Sequence, residues 1–355
     1  MATWTETVSG LLGIQDPGPL LQFLIAFVGA GLWATIILTI VGFSLVWLKR
    51  KWNARLGDRI AINRVGPFGL LIMFADAAKL LSKEVVVPND VDRVSYIAAP
   101  ILVVVGILTA FVVIPWGSGL QLADPEAGLV LAFAFASLSA IAIVMAGYGS
   151  NNKYSFLGFE REVAQTIAYE IPLVLGAAAI VPLVPLFVDG GDPLRLSHIV
   201  AAQQGPLWGI EGLPLPNWFL FAQPVAGALV FVALLAEFGR NPFDLPEAGS
   251  ELVAGYMTEY GGVNFVLMFF GEFAHIWFGA ALFTALFLGG GAGPLLPGVL
   301  WFIIKMFAFW FVVQWMRAAI PRVRIDQLLE IGWKRLLELT FLNLLVTTGI
   351  MWTVI

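Results

Sequence analysis

AEFGRNPFDLPEAGSELVAGYMTEYGG, residues 236–262, is a polar link between two apolar runs. It carries five acids (Glu237, Asp244, Glu247, Glu251 and Glu259) against a single base, Arg240. Pro242 and Pro246 lack an N–H and forbid a continuous helix through its first half. Past Pro246, Glu247 and Glu251 stand four apart, a spacing that predicts two carboxylates stacked on one helical face. Carboxylates that close raise one another's pKa and titrate as a set. The apolar runs on either side, about 218–238 and 262–288, are each long enough to cross a bilayer core of about 30 Å. The link is therefore read as a membrane-surface segment between two spans, either a solvated acidic loop or a functional one.

The rest of the composition agrees. The 355 residues are 59% hydrophobic and 12% charged, roughly half the charge of a soluble domain at about 25%. The absence of Cys excludes disulfides and cysteine-held zinc or iron–sulfur clusters within this chain. Two histidines, His198 and His275, are too few for a haem pair. No phosphate-binding glycine motif appears, and a net charge of −5 argues against nucleic acid. Redox chemistry here needs a diffusible carrier or one held by a partner. The first nineteen residues hold no Lys or Arg, so no cleaved signal peptide is expected.

Eight apolar runs have spanning length: about 20–48, 95–115, 127–147, 163–188, 218–238, 262–288, 297–320 and 335–355. Backbone groups in lipid must be satisfied internally, so these are helices. The expected fold is all-α, one integral membrane domain over 1–355 with eight transmembrane helices, with Pro172 and Pro224 as candidate kinks. Of 19 Lys and Arg, 17 fall in or beside the links at about 49–94, 148–162, 239–261 and 321–334. That bias makes their side cytoplasmic and puts both termini opposite.

Within the first link, Gly66–Glu84 shows helical periodicity on a short mixed segment, which predicts an amphipathic helix lying in the interface. It serves either as surface anchoring or as one wall of an entry for a lipid-soluble substrate. Asn151 and Asn152 are candidate caps for the fourth helix, and capping alone accounts for Glu160, Arg161 and Glu162 at its entrance. Glu170 is different: seven residues past Val163, it lies roughly 10 Å into the span. Glu272, ten residues past Gly262, lies about 15 Å in. Charges at such depth usually face a pathway or a partner. His275, three residues on, offers a Glu272–His275 pair as the second reading of that site. Lys305, within the seventh span, is either a proton-path base or a structural one.

Four motifs carry a family resemblance: NRVGPFGLL…ADAAKLLSKE (63–84), SNNKYSFLG…AYEIP (150–172), AEFGRNPFDLPE…SELVAGYMTEY (236–260) and PRVRIDQL…WK (321–334). In that order they resemble, over nearly the whole chain, the ND-one-type H subunit of respiratory complex I, the proton-translocating NADH:quinone oxidoreductase. The resemblance implies a membrane protein that forms much of the quinone chamber with two soluble subunits, one carrying the terminal iron–sulfur cluster, beside small membrane-arm subunits. It implies quinone, ubiquinone or menaquinone, as substrate, with no metal or covalent cofactor in this chain. By matched position Arg240, Asp244, Glu247 and Glu251 belong to the charged loop at the chamber. Glu170, Glu237 and Glu272 match acids of the path leading away from it. Arg55, Arg59 and Arg64 match the basic segment at the quinone entry, with Phe243, Asp76 and Lys79 at chamber or entry.

The chain departs from the usual pattern at Lys49, where relatives often have Glu, at Ala61-Ile62, at Gly249, at Glu338 and at His275. The resemblance extends to complex-I-like dehydrogenases using ferredoxin or deazaflavin and to membrane-bound hydrogenases, which remain the alternative. A non-catalytic anchor for a soluble arm and a free-standing transporter are the other readings. The expected location is a prokaryotic inner membrane, multi-pass, rather than a mitochondrial or thylakoid one.

Overall fold

The computed structural model describes residues 4–11, 18–117, 120–188, 192–205, 217–246, 249, 251–293 and 295–354. Among them the chain is built from helices: α1 (Trp4–Leu11), α2 (Pro19–Leu56), α3 (Ile72–Leu81), α4 (Arg93–Ala110), α5 (Gly128–Gly149), α6 (Lys153–Ala178), α7 (Leu196–Ala202), α8 (Pro224–Glu237), α9 (Gly262–Phe287), α10 (Gly298–Ala319) and α11 (Ile325–Thr353). Seven helical segments, those containing α2, α4, α5, α6, α9, α10 and α11, are long and apolar enough to cross a membrane. The eighth expected span is α8, a 14-residue apolar helix ending in Glu237 that rises about 21 Å. It is preceded by one turn, Phe219–Ala222, and a break at Gln223 (φ −134°, ψ 63°), with Pro224 opening the new helix. Pro224 is thus a real interruption, because a proline suits a first helical position. Pro172 is not: α6 continues through it to Ala178.

The bundle centres on α9, half of whose residues and more are buried, among them Phe273, Ile276, Trp277, Ala280 and Phe287. It packs on α4, α10 and α2, while α6 packs on α5, α8 and α11. Small residues set the approach, as expected where lipid removes the usual hydrophobic drive between helices. At Gly176 of α6 an added Cβ would lie 2.6 Å from Val230 Cγ2 of α8, so only glycine lets these two helices come so close. The outer faces of α2 and α11 expose Phe23, Phe27, Leu342 and Leu345, as lipid-facing helices do.

The interfacial helix appears as α3, shorter than the 66–84 periodicity suggested and with no buried residue. A single 3-10 turn, Pro67–Gly69, leads into it. Asn152 caps α6, its side chain accepting from Tyr154 N–H at 2.9 Å. Its neighbour Asn151 takes the left-handed conformation (φ 47°) that Asn tolerates, and donates to the Asp90 carbonyl at 2.9 Å.

Candidate functional site: a buried acidic path under a clamped loop

The charged loop does not stand off in solvent. At Gly158 of α6 an added Cβ would meet Tyr256 N at 2.7 Å, so the loop backbone lies directly on that helix. Tyr96 of α4 donates to the Glu259 carbonyl at 2.8 Å, Tyr260 donates back to the Tyr96 carbonyl at 3.1 Å, and the two rings stack 4.4 Å apart. Desolvation there holds the Tyr260 phenol above its ordinary pKa, helped by the neighbouring Tyr96. Asn152 donates to Glu259 at 2.5 Å, and Arg161 of α6 reaches Glu251 at 2.5 Å. On the other side, Asp244 meets Arg322 at 3.4 Å and Val323 N–H donates to the Pro242 carbonyl at 3.0 Å. Phe243 is buried against Tyr169, their rings 5.5 Å apart. The loop is therefore tied to α4, α6 and the last link at once.

The stacking expected of Glu247 and Glu251 falls outside the described residues at Glu247. From Gly249 onward the described residues run as turns, with Val253 in the left-handed region (φ 64°). A β-branched residue there ends any helical continuation. Glu251 turns to Arg161.

Beneath the loop, Arg240 is 1% exposed and forms an ion pair with Glu272 of α9. Its guanidinium also lies 4.3 Å from the centroid of the Phe273 ring. The ammonium of Lys49 sits 4.2 Å from the same centroid and 5.4 Å from that of Phe269. Lys49 follows a π-helical turn in α2, Ser44–Leu48, at which Trp277 donates to Ser44 Oγ at 2.6 Å. Such wide turns are often found at functional sites. Two cations on one ring, with a carboxylate at one of them, concentrate positive charge where the loop meets the spans.

Two cavities run inward from that point. The first, about 40 Å³, is lined by Glu162, Thr166, Glu237, Glu272, His275 and Ser139, with Pro246 and Tyr256 of the loop among its walls. The second, about 10 Å³, is lined mostly by apolar side chains, with Ser137, Glu170, Glu237 and His275 as its polar members. One water needs about 10–15 Å³ of such space and two to four polar partners. The first cavity has room for about three waters among its polar groups, whereas the second, with room for about one, is mostly apolar and offers polar partners only from Ser137, Glu170, Glu237 and His275. Glu237, at the end of α8, lines both and has a buried Oε2 without a hydrogen-bond partner among the described residues. Gln165 of α6 donates to the Ala236 carbonyl at 2.6 Å and fixes that helix end. Glu170 is hydrogen-bonded to Ser137 of α5. The arrangement is a short file of carboxyl groups with water-sized gaps, leading from the loop into the bundle.

Glu237 shares the first cavity with Glu272, which is paired with Arg240, and the second with Glu170; of these, membrane depth alone points to Glu170 and Glu272. The Glu272–His275 pair is not made: Glu272 turns to Arg240, and His275 Nε2 meets Ser139 of α5. The path also takes in Glu162, read from sequence as a helix-entrance residue. The signal was present, since Glu162, Thr166 and Glu170 follow one another at intervals of four along one face of α6. Lys305 leaves the path. Its ammonium donates to the carbonyls of Leu288, Gly290 and Ala292 at 2.6, 2.8 and 2.8 Å and lies 4.6 Å from the Trp218 ring centroid. It closes the turn after α9, where the helix leaves its last carbonyls unsatisfied. Arg55, Arg59, Arg64 and Lys79 are exposed on the first link, and Asp76 pairs with Arg50 at 2.8 Å. Lys49, Arg50, Arg59 and Ile62 line an open groove of about 340 Å³ on that side.

Comparison with known proteins gives a consistent result. The family model described as NADH dehydrogenase matches residues 30–348. A protein of Carboxydothermus hydrogenoformans, named as the H subunit of NADH-quinone oxidoreductase, is 40% identical over 98% of this chain and 93% of its own length. Relatives named as H subunits of the same oxidoreductase are 42% identical in Geobacter sulfurreducens (88% of this chain, 92% of that protein) and 43% identical in Cereibacter sphaeroides (89% and 94%).

Proposed function

The chain belongs to the NADH dehydrogenase family, and on that footing we propose that it is the quinone-chamber membrane subunit of a proton-translocating NADH:quinone oxidoreductase. In this reading it is inactive alone, resides in a prokaryotic inner membrane as a multi-pass protein, and meets two soluble subunits across the loop face. One of those subunits delivers electrons to quinone from its iron–sulfur cluster. Arg55, Arg59, Arg64 and Lys79, with Asp76 held by Arg50, form the entry side. Phe243, Asp244, Glu247 and Glu251 belong to the loop at the chamber.

The observation that carries the proposal is the meeting at Glu237 of two cavities, each holding buried acids, directly beneath a loop clamped on three sides. Reducing the quinone changes the charge facing the loop. The loop and Arg240 transmit the change to Glu272, and the proton affinities of Glu272, Glu237 and Glu170 shift in turn. The coupling works by population shift, so the two quinone states must favour different loop arrangements. The magnitudes are compatible. Moving one charge against about 150 mV costs about 3.5 kcal/mol, which a pKa swing of about 2.5 units supplies.

The test is Glu170→Gln and Glu272→Gln in the assembled complex. Loss of proton pumping is expected; unchanged quinone reduction with full pumping removes both residues from the mechanism. A photoreactive azido-quinone separates this reading from a purely anchoring role. Labelling within 49–84 and 237–260 is expected, and labelling confined to other subunits excludes the chamber.

A further inference from the structure

The two cavities share three lining residues: Glu237, Phe238 and His275. Phe238 is apolar and 4% exposed, so among the described residues only Glu237 and His275 can exchange a proton at that shared wall. We propose that His275 carries protons between the cavity of Glu272 and the cavity of Glu170, held for that task by Ser139. The proposal rests on the proton path described above and adds a member to it.

The hydrogen bonds fix how the ring is presented. Ser139 Oγ donates its one hydrogen to the Ala136 carbonyl at 2.5 Å. Towards His275 the hydroxyl can therefore only accept, and the imidazole must donate from Nε2. In the neutral ring the lone pair is then on Nδ1. Nδ1 has no hydrogen-bond partner among the described residues, yet it is not among the atoms sealed from space. The ring thus keeps a basic nitrogen free for proton exchange on a residue that lines both cavities.

The transfer balances. A proton from a carboxyl group or water on the Glu272 side bonds to Nδ1, giving an imidazolium whose Nε2–H stays on Ser139. The Nδ1–H bond then breaks to a water or carboxylate on the Glu170 side, and the neutral ring returns. The charged and titratable groups around the ring are Glu272 on its own helix (paired with Arg240), Glu162 and Glu170 on α6, Glu237 on α8 and Tyr256 of the loop, with Ser137 and Ser139 on α5. Ser139 is a positioning residue: it sets the tautomer and takes no proton.

The experiment compares His275→Gln with Glu237→Gln in the assembled complex reconstituted into vesicles. Pumping is scaled to electron entry into an artificial acceptor, so that poor assembly is not mistaken for lost coupling. Gln keeps an N–H donor for Ser139 but accepts no proton. The proposal expects His275→Gln to lose proton pumping and Ser139→Ala to keep pumping with a displaced pH profile, which a packing role would not displace. His275→Gln pumping at the wild-type ratio with an unmoved pH profile overturns it. If Glu237→Gln fails to pump while His275→Gln pumps fully, only the role of His275 falls. If both pump fully, the carboxyl path itself falls.

Discussion

Arg240 and Glu272, thirty-two residues apart in sequence, are ion-paired at the point where the loop after α8 meets the buried interior of α9. Both side chains are nearly withdrawn from solvent, at 2% and 11% exposure. An acid at membrane depth is costly alone, and here its counter-charge comes from the loop rather than from a neighbouring span. The loop's position and the charge of Glu272 are consequently one variable.

That dependence predicts an asymmetric mutational result. Arg240→Leu leaves Glu272 buried without its partner and lowers stability by about 3–5 kcal/mol. The double variant Arg240→Leu/Glu272→Leu removes both charges and recovers most of that loss, because a buried pair is often replaceable by apolar groups. Thermal unfolding of the assembled complex checks the order of the three proteins. Neither variant pumps protons. A single variant as stable as the double one shows that the pair is not a buried interaction.

Lys305 has the opposite profile. Lys305→Met strips three carbonyls of a charged donor, and leaving buried acceptors unpaired costs about 1–3 kcal/mol per group. The melting temperature falls, while the proton-to-electron ratio per assembled complex stays at the wild-type value. A normal melting temperature with a reduced ratio would put Lys305 back on the path.

Asp92, outside the spans, caps α4. It accepts from Ser95 Oγ at 2.6 Å and Val94 N–H at 3.3 Å, and the Ser95 hydroxyl holds its carboxyl below the ordinary value of 3.8. A folded-state pKa below the unfolded one gives stability that is present above about 3.8 and lost as pH falls through the folded value. Ser95→Ala therefore melts earlier than wild type at neutral pH, and the gap closes below that value. A gap that stays constant through acid pH contradicts the cap.

The spans, the loop and the deep acids were legible because each rests on local information: run length, proline placement and the rarity of charge in lipid. What Glu272 and Lys305 do was not, because their partners are supplied by chain reversal. Arg240 and the carbonyls of the 288–292 turn become neighbours only once the helices pack. Spacing counts carboxylates but does not register that Val253 adopts a left-handed turn, or that Arg161 waits on α6. Glu162 was misread by its place near a helix start, where capping is the ordinary explanation, although its face of α6 carries Thr166 and Glu170. The short α8 shows the limit of counting apolar residues: a run of spanning length breaks at Gln223 because Pro224 begins a new helix.

In the proposed mechanism Glu237, which lines both cavities, takes part in carrying the protons driven by quinone reduction. The most direct measurement is the proton-to-electron ratio of Glu237→Gln in the reconstituted complex, taken beside its rate of quinone reduction. Pumping is expected to be lost in complexes that still assemble and accept electrons. Quinone reduction at the wild-type rate with the full proton-to-electron ratio would contradict it.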